Sequence, residues 1–147
     1  MIDKTTAPLG ALLLRVSLGV MFIAHSLYLK LVVFTLPGTA QFFQSLGLPG
    51  WFAYATFAAE AIGGVLLVLG VKARWVALAL VPVLAGATWA HAGSGWLFTN
   101  QGGGWEYPLF LTVAALVQAL VGDGAYALWK SSSVDDLQPV GQGKYAL

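Results

Sequence analysis

The chain has 147 residues, of which 59% are hydrophobic and only 9% are charged, and its formal net charge is +1. An ordinary soluble domain carries roughly 25% charged residues, so this chain lacks the polar side chains needed to cover a water-facing surface. Composition therefore excludes an ordinary soluble domain and favours about four membrane-spanning helices of some 20 residues each. The chain has no cysteine, which excludes disulfides, thiolate catalysis, iron–sulfur ligation and covalent c-type haem as activities of the chain alone.

Four long apolar stretches predict the membrane spans. They are residues 9–29, 51–71, 75–92 and 107–128. The first contains only two ionisable side chains, Arg15 and His25, and it is too long for the apolar region of a cleaved signal peptide. Trp and Tyr residues lie at the predicted span ends, where such rings prefer the headgroup level. The sequence thus predicts an all-α, integral membrane four-helix bundle in residues 1–130, followed by a polar cytoplasmic tail in residues 131–147.

The connection between the first two spans has a helical pattern of its own. In residues 36–50, Thr39 is a candidate N-cap, and Phe42, Phe43 and Leu46 are spaced to share one face. We therefore expect a short amphipathic helix lying in the outer membrane interface.

The distribution of Lys and Arg predicts the orientation of the bundle. Five basic residues lie on one side: Lys4, Lys72, Arg74, Lys130 and Lys144. Only Lys30 lies on the other side. The positive-inside rule then places both termini in the cytoplasm of a bacterial-type cytoplasmic membrane.

Three charges fall inside the predicted spans: Asp123 near the far end of the fourth, and Arg15 and Glu60 at greater depth. At ~1.5 Å per residue, Arg15 lies about 9 Å from the cytoplasmic end of the first span, and Glu60 lies about 13 Å from the outer end of the second. Because charges at membrane depth tend to pair, an Arg15–Glu60 ion pair between the two helices is the first interpretation. The alternative is that Glu60 relays protons or contacts a ligand.

A second group of polar residues lies nearer the outer surface. His25 and His91 are about 24 and 25 Å from the cytoplasmic ends of their spans, and Glu106 begins the fourth span. With Trp105 and Tyr107, they are candidates to line a pocket that opens outward and holds a quinone head group. Neither histidine belongs to a metal-spacing motif, so no metal site is predicted and b-type haem is disfavoured. The alternative is a polar cap that satisfies backbone groups of the outer loops.

Several short motifs share one order along the chain. They are Arg15 and Gly19 before His25, LGLPG at Leu46–Gly50, Glu60 with Gly63 and Gly64, Gly70 and Arg74, His91, and GGWEYP at Gly103–Pro108. By this set the chain resembles the DoxX family of small four-helix membrane proteins over about residues 8–128. The family often has His-Gly followed shortly by Lys, whereas here Ser26 replaces the glycine and Lys30 comes one position later.

The resemblance implies that Arg15, His25, Glu60, His91 and Glu106 form the polar interior. Relatives in the family include the quinone-reducing membrane subunit of thiosulfate:quinone oxidoreductase and members that resemble membrane anchors for detoxifying enzymes. It therefore implies a redox-associated subunit that binds quinone, or a similar lipophilic molecule, and works with a partner oxidoreductase.

Two other functions stay open at the level of sequence. One is a noncatalytic anchoring or assembly subunit in a membrane complex or homo-oligomer, and the other is a small transporter, which four helices rarely form alone. Whether the chain is itself an enzyme is not decided by its residues. Its few basic residues are explained by topology, so no nucleic-acid partner is predicted.

Overall fold

The computed structural model describes residues 3–132, so residues 133–147 of the predicted tail lie outside the described part. Its helices are α1 (Ala7–Ile23), which continues directly into a π-helical segment (Ala24–Val33), then α2 (Leu36–Ser45), α3 (Trp51–Leu69), α4 (Ala73–Ala90) and α5 (Glu106–Val121). A single 3-10 turn follows α4 at Ala92–Ser94. The predicted all-α class is confirmed.

Three of these helical stretches are long and apolar enough to cross a membrane. They are α1 with its π segment, α3 and α4, with 27, 19 and 18 residues. The fourth, α5, is a shorter apolar helix of 16 residues. Their large apolar side chains point outward as well as inward: Leu13 and Leu120 are 68% and 80% exposed. An apolar exterior of this kind suits lipid and is consistent with a membrane protein.

The four apolar helices share one core. Its buried members include Leu18 and Phe22 of α1, Leu67 of α3, Leu84 of α4 and Leu111 of α5. The bundle has two ends, which we name by what lies there. The loop end carries α2 and the connection 92–105, and the strap end carries the start of α1, the end of α3 and the residues after α5.

α1 and α3 cross at a contact between two glycines. A Cβ added to Gly64 would lie 2.9 Å from the carbonyl oxygen of Gly19, and one added to Gly19 would lie 2.8 Å from that of Gly64. Glycine at both positions lets the two backbones approach closely. This crossing brings the preceding turn of α3, which carries Glu60, beside the second half of the first span.

The predicted short helix between the first two spans is present as α2, but its predicted N-cap is wrong. The cap is Thr35, whose Oγ1 accepts the Gly38 N–H at 3.2 Å. Thr39 lies inside the helix, and its hydroxyl donates to the Thr35 carbonyl at 2.9 Å. The Leu-Pro pair that follows Thr35 begins the helix, since proline is favoured in a first turn.

The fourth apolar helix ends earlier than residue 128, the predicted end of its span. Gly122 and Gly124 have φ of 88° and 72°, which stop α5 after Val121. The following residues, 122–131, form a C-terminal strap that crosses the bundle. Its Ala125 N–H donates to the Pro8 carbonyl at 2.9 Å. Further along the strap, the Trp129 N–H donates to the Gly70 carbonyl at 3.1 Å, so the strap joins the start of α1 to the end of α3.

Candidate functional site

Arg15 is almost completely buried, with 1% of its surface exposed, and it binds the C-terminal strap. Its Nη1 donates to the Asp123 carbonyl at 3.1 Å and its Nη2 donates to the Ala125 carbonyl at 3.3 Å. The predicted Arg15–Glu60 ion pair is therefore wrong. The prediction failed because it extended the fourth helix to residue 128. Since α5 ends earlier, the residues after it present carbonyl oxygens at the depth of Arg15, and Arg15 donates to them.

Glu60 pairs instead with Lys30. The Lys30 Nζ lies 2.7 Å from Glu60 Oε2, and the two side chains are only 17% and 7% exposed. The sequence pattern placed Lys30 on the outer side, just beyond the first predicted span at residues 9–29. The structure makes it a second interior cation besides Arg15, and the partner of Glu60.

The π segment explains how Lys30 reaches Glu60. Five residues of an α-helix, at about 100° each, would turn the side chains of His25 and Lys30 about 140° apart. In a π-helix, the i→i+5 hydrogen bonds widen the turn, so residues five apart share a face; Phe34 N–H to Leu29 C=O, at 2.8 Å, closes the segment in this way. His25 and Lys30 accordingly line the same cavity. The wider turn also accommodates the later position of Lys30 relative to the DoxX pattern.

This cavity has a volume of about 300 Å³ and lies between the helices toward the loop end of the bundle. Its polar side chains are His25, Lys30, Glu60, His91 and Tyr107. The remaining lining residues are Met21, Phe22, Val83, Leu84, Ala87, Phe98, Gly103, Gly104, Pro108 and Leu111. The cavity thus combines largely apolar walls with a small set of convergent polar groups, which is the usual make-up of a small-molecule site.

Both histidines are held by backbone carbonyls through the same ring nitrogen. His25 Nδ1 donates to the Met21 carbonyl at 2.9 Å, and His91 Nδ1 donates to the Gly102 carbonyl at 2.9 Å. A carbonyl can only accept, so Nδ1 carries the hydrogen, and Nε2 is the acceptor of each neutral ring. Within residues 3–132, Nε2 of neither ring makes a hydrogen bond to the protein. Each ring therefore keeps one nitrogen available for a ligand.

Aromatic neighbours fix the planes of the two imidazoles. The His25 ring stacks on Tyr107, with centroids 6.1 Å apart and an interplanar angle of 24°. The His91 ring stacks on Phe42 of α2 at 6.5 Å and 28°. The loop end thus uses α2 and the start of α5 to orient groups that belong to α4 and the first span.

Glu106 and Trp105, which the sequence also proposed as ligand residues, do not line this cavity. Glu106 Oε1 accepts the Phe98 N–H at 2.9 Å. Trp105 packs edge to face against Trp96, with ring centroids 4.5 Å apart. Both residues contact the connection 92–105, and the Glu106 bond to a loop N–H corresponds to the alternative of a polar cap. The structure therefore groups His25, His91 and Tyr107, and adds Lys30 and Glu60 to them.

Two sequence features pointed to Lys30: its isolation as a basic residue on the outer side, and the lysine that follows His25 in the DoxX pattern. A metal site has less support, since no group of three or more His, Cys, Asp or Glu side chains comes together among the described residues. The histidines offer one free nitrogen each, which suits hydrogen bonding to a ligand.

At the strap end, Asp123 collects three hydrogen bonds. Its carboxylate accepts the Arg74 N–H at 3.2 Å, the Ser131 N–H at 2.6 Å and the Ser131 hydroxyl at 2.8 Å. Burial raises the pKa of Asp123, but the hydrogen bonds from Ser131 and the backbone of α4 lower it by more than burial raises it. The pKa of Asp123 therefore lies below its ordinary value. These bonds fasten the strap to the start of α4.

Comparisons with known proteins identify the family of this chain. The sequence profile of the DoxX family matches residues 10–93, more than half of the chain. A Bacillus subtilis (strain 168) protein named "Putative oxidoreductase CatD" is 43% identical over 79 residues, which cover 54% of this chain and 57% of that protein. The match thus spans little more than half the length of this relative. No solved structure gives a significant match. The chain belongs to the DoxX family.

Proposed function

We propose that this DoxX protein is a redox-associated membrane subunit that binds a quinone, or a similar lipophilic carbonyl compound, and works with a partner oxidoreductase. The observation that carries the proposal is the cavity of about 300 Å³, where apolar walls surround two oriented histidines and the Lys30–Glu60 pair. The name of the Bacillus subtilis relative supports a link to oxidoreduction.

The protonation chemistry of the lining residues suits both forms of a quinone. Quinone carbonyl oxygens accept hydrogen bonds, and Lys30 or an imidazolium Nε2 of His25 or His91 can donate to them. A quinol hydroxyl donates, and the neutral Nε2 of the same histidines can accept. The site can therefore bind the oxidised and reduced forms by gaining or losing protons, without changing its geometry.

The same groups account for the protons of the reaction. Conversion of a quinone to a quinol requires two electrons and two protons. The partner oxidoreductase supplies the electrons, and the imidazolium forms of His25 and His91 each transfer one proton from Nε2 to a carbonyl oxygen. The two histidines become neutral, and protons from water restore them. The reverse reaction returns the protons to Nε2 and the electrons to the partner.

The proposed location is a bacterial-type cytoplasmic membrane with both termini in the cytoplasm. Since Lys30 pairs with Glu60 inside the bundle, it does not count as an exposed basic residue on the outer side. Within residues 3–132, the basic residues outside the bundle interior are then Lys4, Lys72, Arg74 and Lys130, all on the strap side, which supports the positive-inside argument. By this orientation the cavity lies in the outer half of the membrane.

Equilibrium binding of a short-tailed ubiquinone to the purified protein in lipid nanodiscs tests the proposal. We expect His25→Phe combined with His91→Phe to weaken binding by at least tenfold, because hydrogen bonds to charged groups are worth ~1.5–3 kcal/mol each and 1.4 kcal/mol is a factor of ten. Trp75→Phe, at the strap end of α4, is the control and should bind normally. Unchanged binding and unchanged quinone reduction by the complete membrane complex in the double variant would support an anchoring subunit instead.

A further inference from the structure

A second concave region lies on the outside of the bundle, next to the cavity. It has a volume of about 500 Å³ and is lined by Trp96, Phe98, Glu106, Tyr107, Leu109, Phe110 and Val113. Phe98 and Tyr107 line both this groove and the cavity, so the two spaces share a wall. We name the second region the tail groove.

We propose that the tail groove binds the isoprenoid tail of a quinone whose head group lies in the cavity, and so selects long-tailed quinones. This inference rests on the proposed function, because it assigns a place to the remainder of the same ligand. The proposed occupant of the groove is the tail of the same bound molecule, and not the acyl chain of an unrelated phospholipid.

Size requires an exit for such a tail. A cavity of about 300 Å³ is at the lower limit of small-molecule sites, so it holds a ring system and not a chain of many isoprene units. The tail must therefore leave the cavity where it opens to the outside of the bundle. Phe98 and Tyr107 are the exposed residues of the cavity lining, at 65% and 43%, and both also border the second, largely apolar space.

The exposure of the groove fits an isoprenoid chain that remains partly in lipid. Phe110 and Val113 on α5 are 68% and 51% exposed, and Phe98 from the connection 92–105 is 65% exposed. From Glu106 to Val113 the groove follows α5 for about 10 Å, at ~1.5 Å per residue. A tail in this groove would bury apolar surface against the helix on one side and meet membrane lipid on the other.

Defined contacts hold the two residues that border both spaces. The backbone of Phe98 is held by its N–H bond to Glu106 Oε1, and the ring of Tyr107 is held by stacking on His25. Glu106 therefore positions Phe98 at the boundary of the two spaces, and it lines the groove although it does not line the cavity.

The test compares two ubiquinones, one with a single isoprene unit and one with eight, by competition on the purified protein in nanodiscs. Val113→Phe and, separately, Phe110→Trp add bulk to the groove at exposed positions. We expect each to weaken binding of the long-tailed ubiquinone by about tenfold or more, as steric mismatch in an apolar pocket does. Binding of the short-tailed ubiquinone should stay within about twofold, and this also reports that the variant is folded.

Val65→Phe is the matched control, because it adds the same bulk at an exposed position on α3. It should leave both affinities unchanged. Equal effects of the groove variants on both ubiquinones, or no effect on the long-tailed one, would overturn the tail groove while leaving the proposed function intact. Failure of the unmodified protein to bind either ubiquinone would overturn both proposals.

Discussion

Replacement of Lys30 by methionine tests whether the interior ion pair supports the fold around the cavity. Methionine keeps an unbranched side chain of similar length but removes the ammonium group that lies 2.7 Å from Glu60 Oε2. The Glu60 side chain, 7% exposed, would then be a buried carboxylate without its cationic partner. We expect the variant to be markedly less stable than the unmodified protein.

The magnitude follows from the geometry of the pair. At 2.7 Å and an effective dielectric constant of about 20, the Coulomb attraction is ~6 kcal/mol. Desolvation of each ion costs several kcal/mol, so the pair contributes little more than an apolar replacement of both residues. Removal of one partner alone, however, costs about 3–5 kcal/mol, because the other charge stays buried. Lys30→Met should therefore lose that amount, and Lys30→Met with Glu60→Gln should lose clearly less.

The assay is reversible unfolding of the purified protein in mixed micelles, applied to both single variants and the double variant. The expected interaction energy lies at the upper end of the ~0.5–3 kcal/mol found for contacting residues. Lys72→Met is the matched control, since Lys72 lies 5.0 Å above the Trp129 ring and such an exposed contact is worth ~0.5–1 kcal/mol. If both single variants unfold like the control and their effects simply add, the ion pair does not stabilise this region and the reasoning fails.

Two further predictions concern the strap end. A Cβ at Gly70, where φ is 70°, would lie 2.6 Å from Arg15 Cζ. Gly70→Ala should therefore lower the free energy of unfolding by about 3–5 kcal/mol, through backbone strain and lost guanidinium hydrogen bonds. Gly86→Ala is the control in the same assay, and it should be neutral or slightly stabilising because a Cβ there would have nothing within 4 Å. Although burial raises the pKa of Asp123, hydrogen bonds from Ser131 and the α4 backbone lower it below the ordinary 3.8. The ionised carboxylate therefore stabilises the fold above that pH, and its contribution is lost as pH falls through the lowered pKa. Between about pH 5 and pH 2, the stability measured by thermal unfolding should fall more steeply with pH for the unmodified protein than for Asp123→Asn. Parallel curves of stability against pH for the two proteins would contradict a stabilising role of the Asp123 carboxylate.

Much of the fold could be predicted because the membrane constrains the sequence so strongly. Apolar runs, terminal aromatic residues and the few interior charges located the helices and the amphipathic α2. The helix ends were harder to predict, because they depend on local backbone geometry. The positive φ of Gly122 stops α5 within an apolar run, and Thr35 caps α2 with φ of 61°, a conformation that a side-chain pattern does not reveal.

The sequence singled out most of the residues of the candidate site, but it predicted poorly which of them contact each other. Depth counting assumed regular α-helices, so it matched Arg15 with Glu60 and left Lys30 in a loop. The structure contains two departures from regular helix that counting could not include: the π segment, which turns Lys30 inward, and the strap, which supplies carbonyl oxygens to Arg15. The depth count did place His25 and His91 at one level, and both line the cavity, since Ala24 is the only residue of the π segment before His25 and the strap lies outside both counted stretches.

The two ends of the bundle differ in what their interior polar groups contact. At the strap end, the guanidinium of Arg15 donates to two strap carbonyls through Nη1 and Nη2, while its buried Nε makes no hydrogen bond within the described residues. At the loop end, each histidine uses Nδ1 for the fold and keeps Nε2 toward no protein partner among the described residues. Neither Nε2 is among the buried side-chain atoms that lack a hydrogen-bond partner in the described residues, so each stays accessible at the loop end. The strap thus attaches the start of α1 to the end of α3, while the loop end carries the two imidazole nitrogens that the proposed ligand would contact.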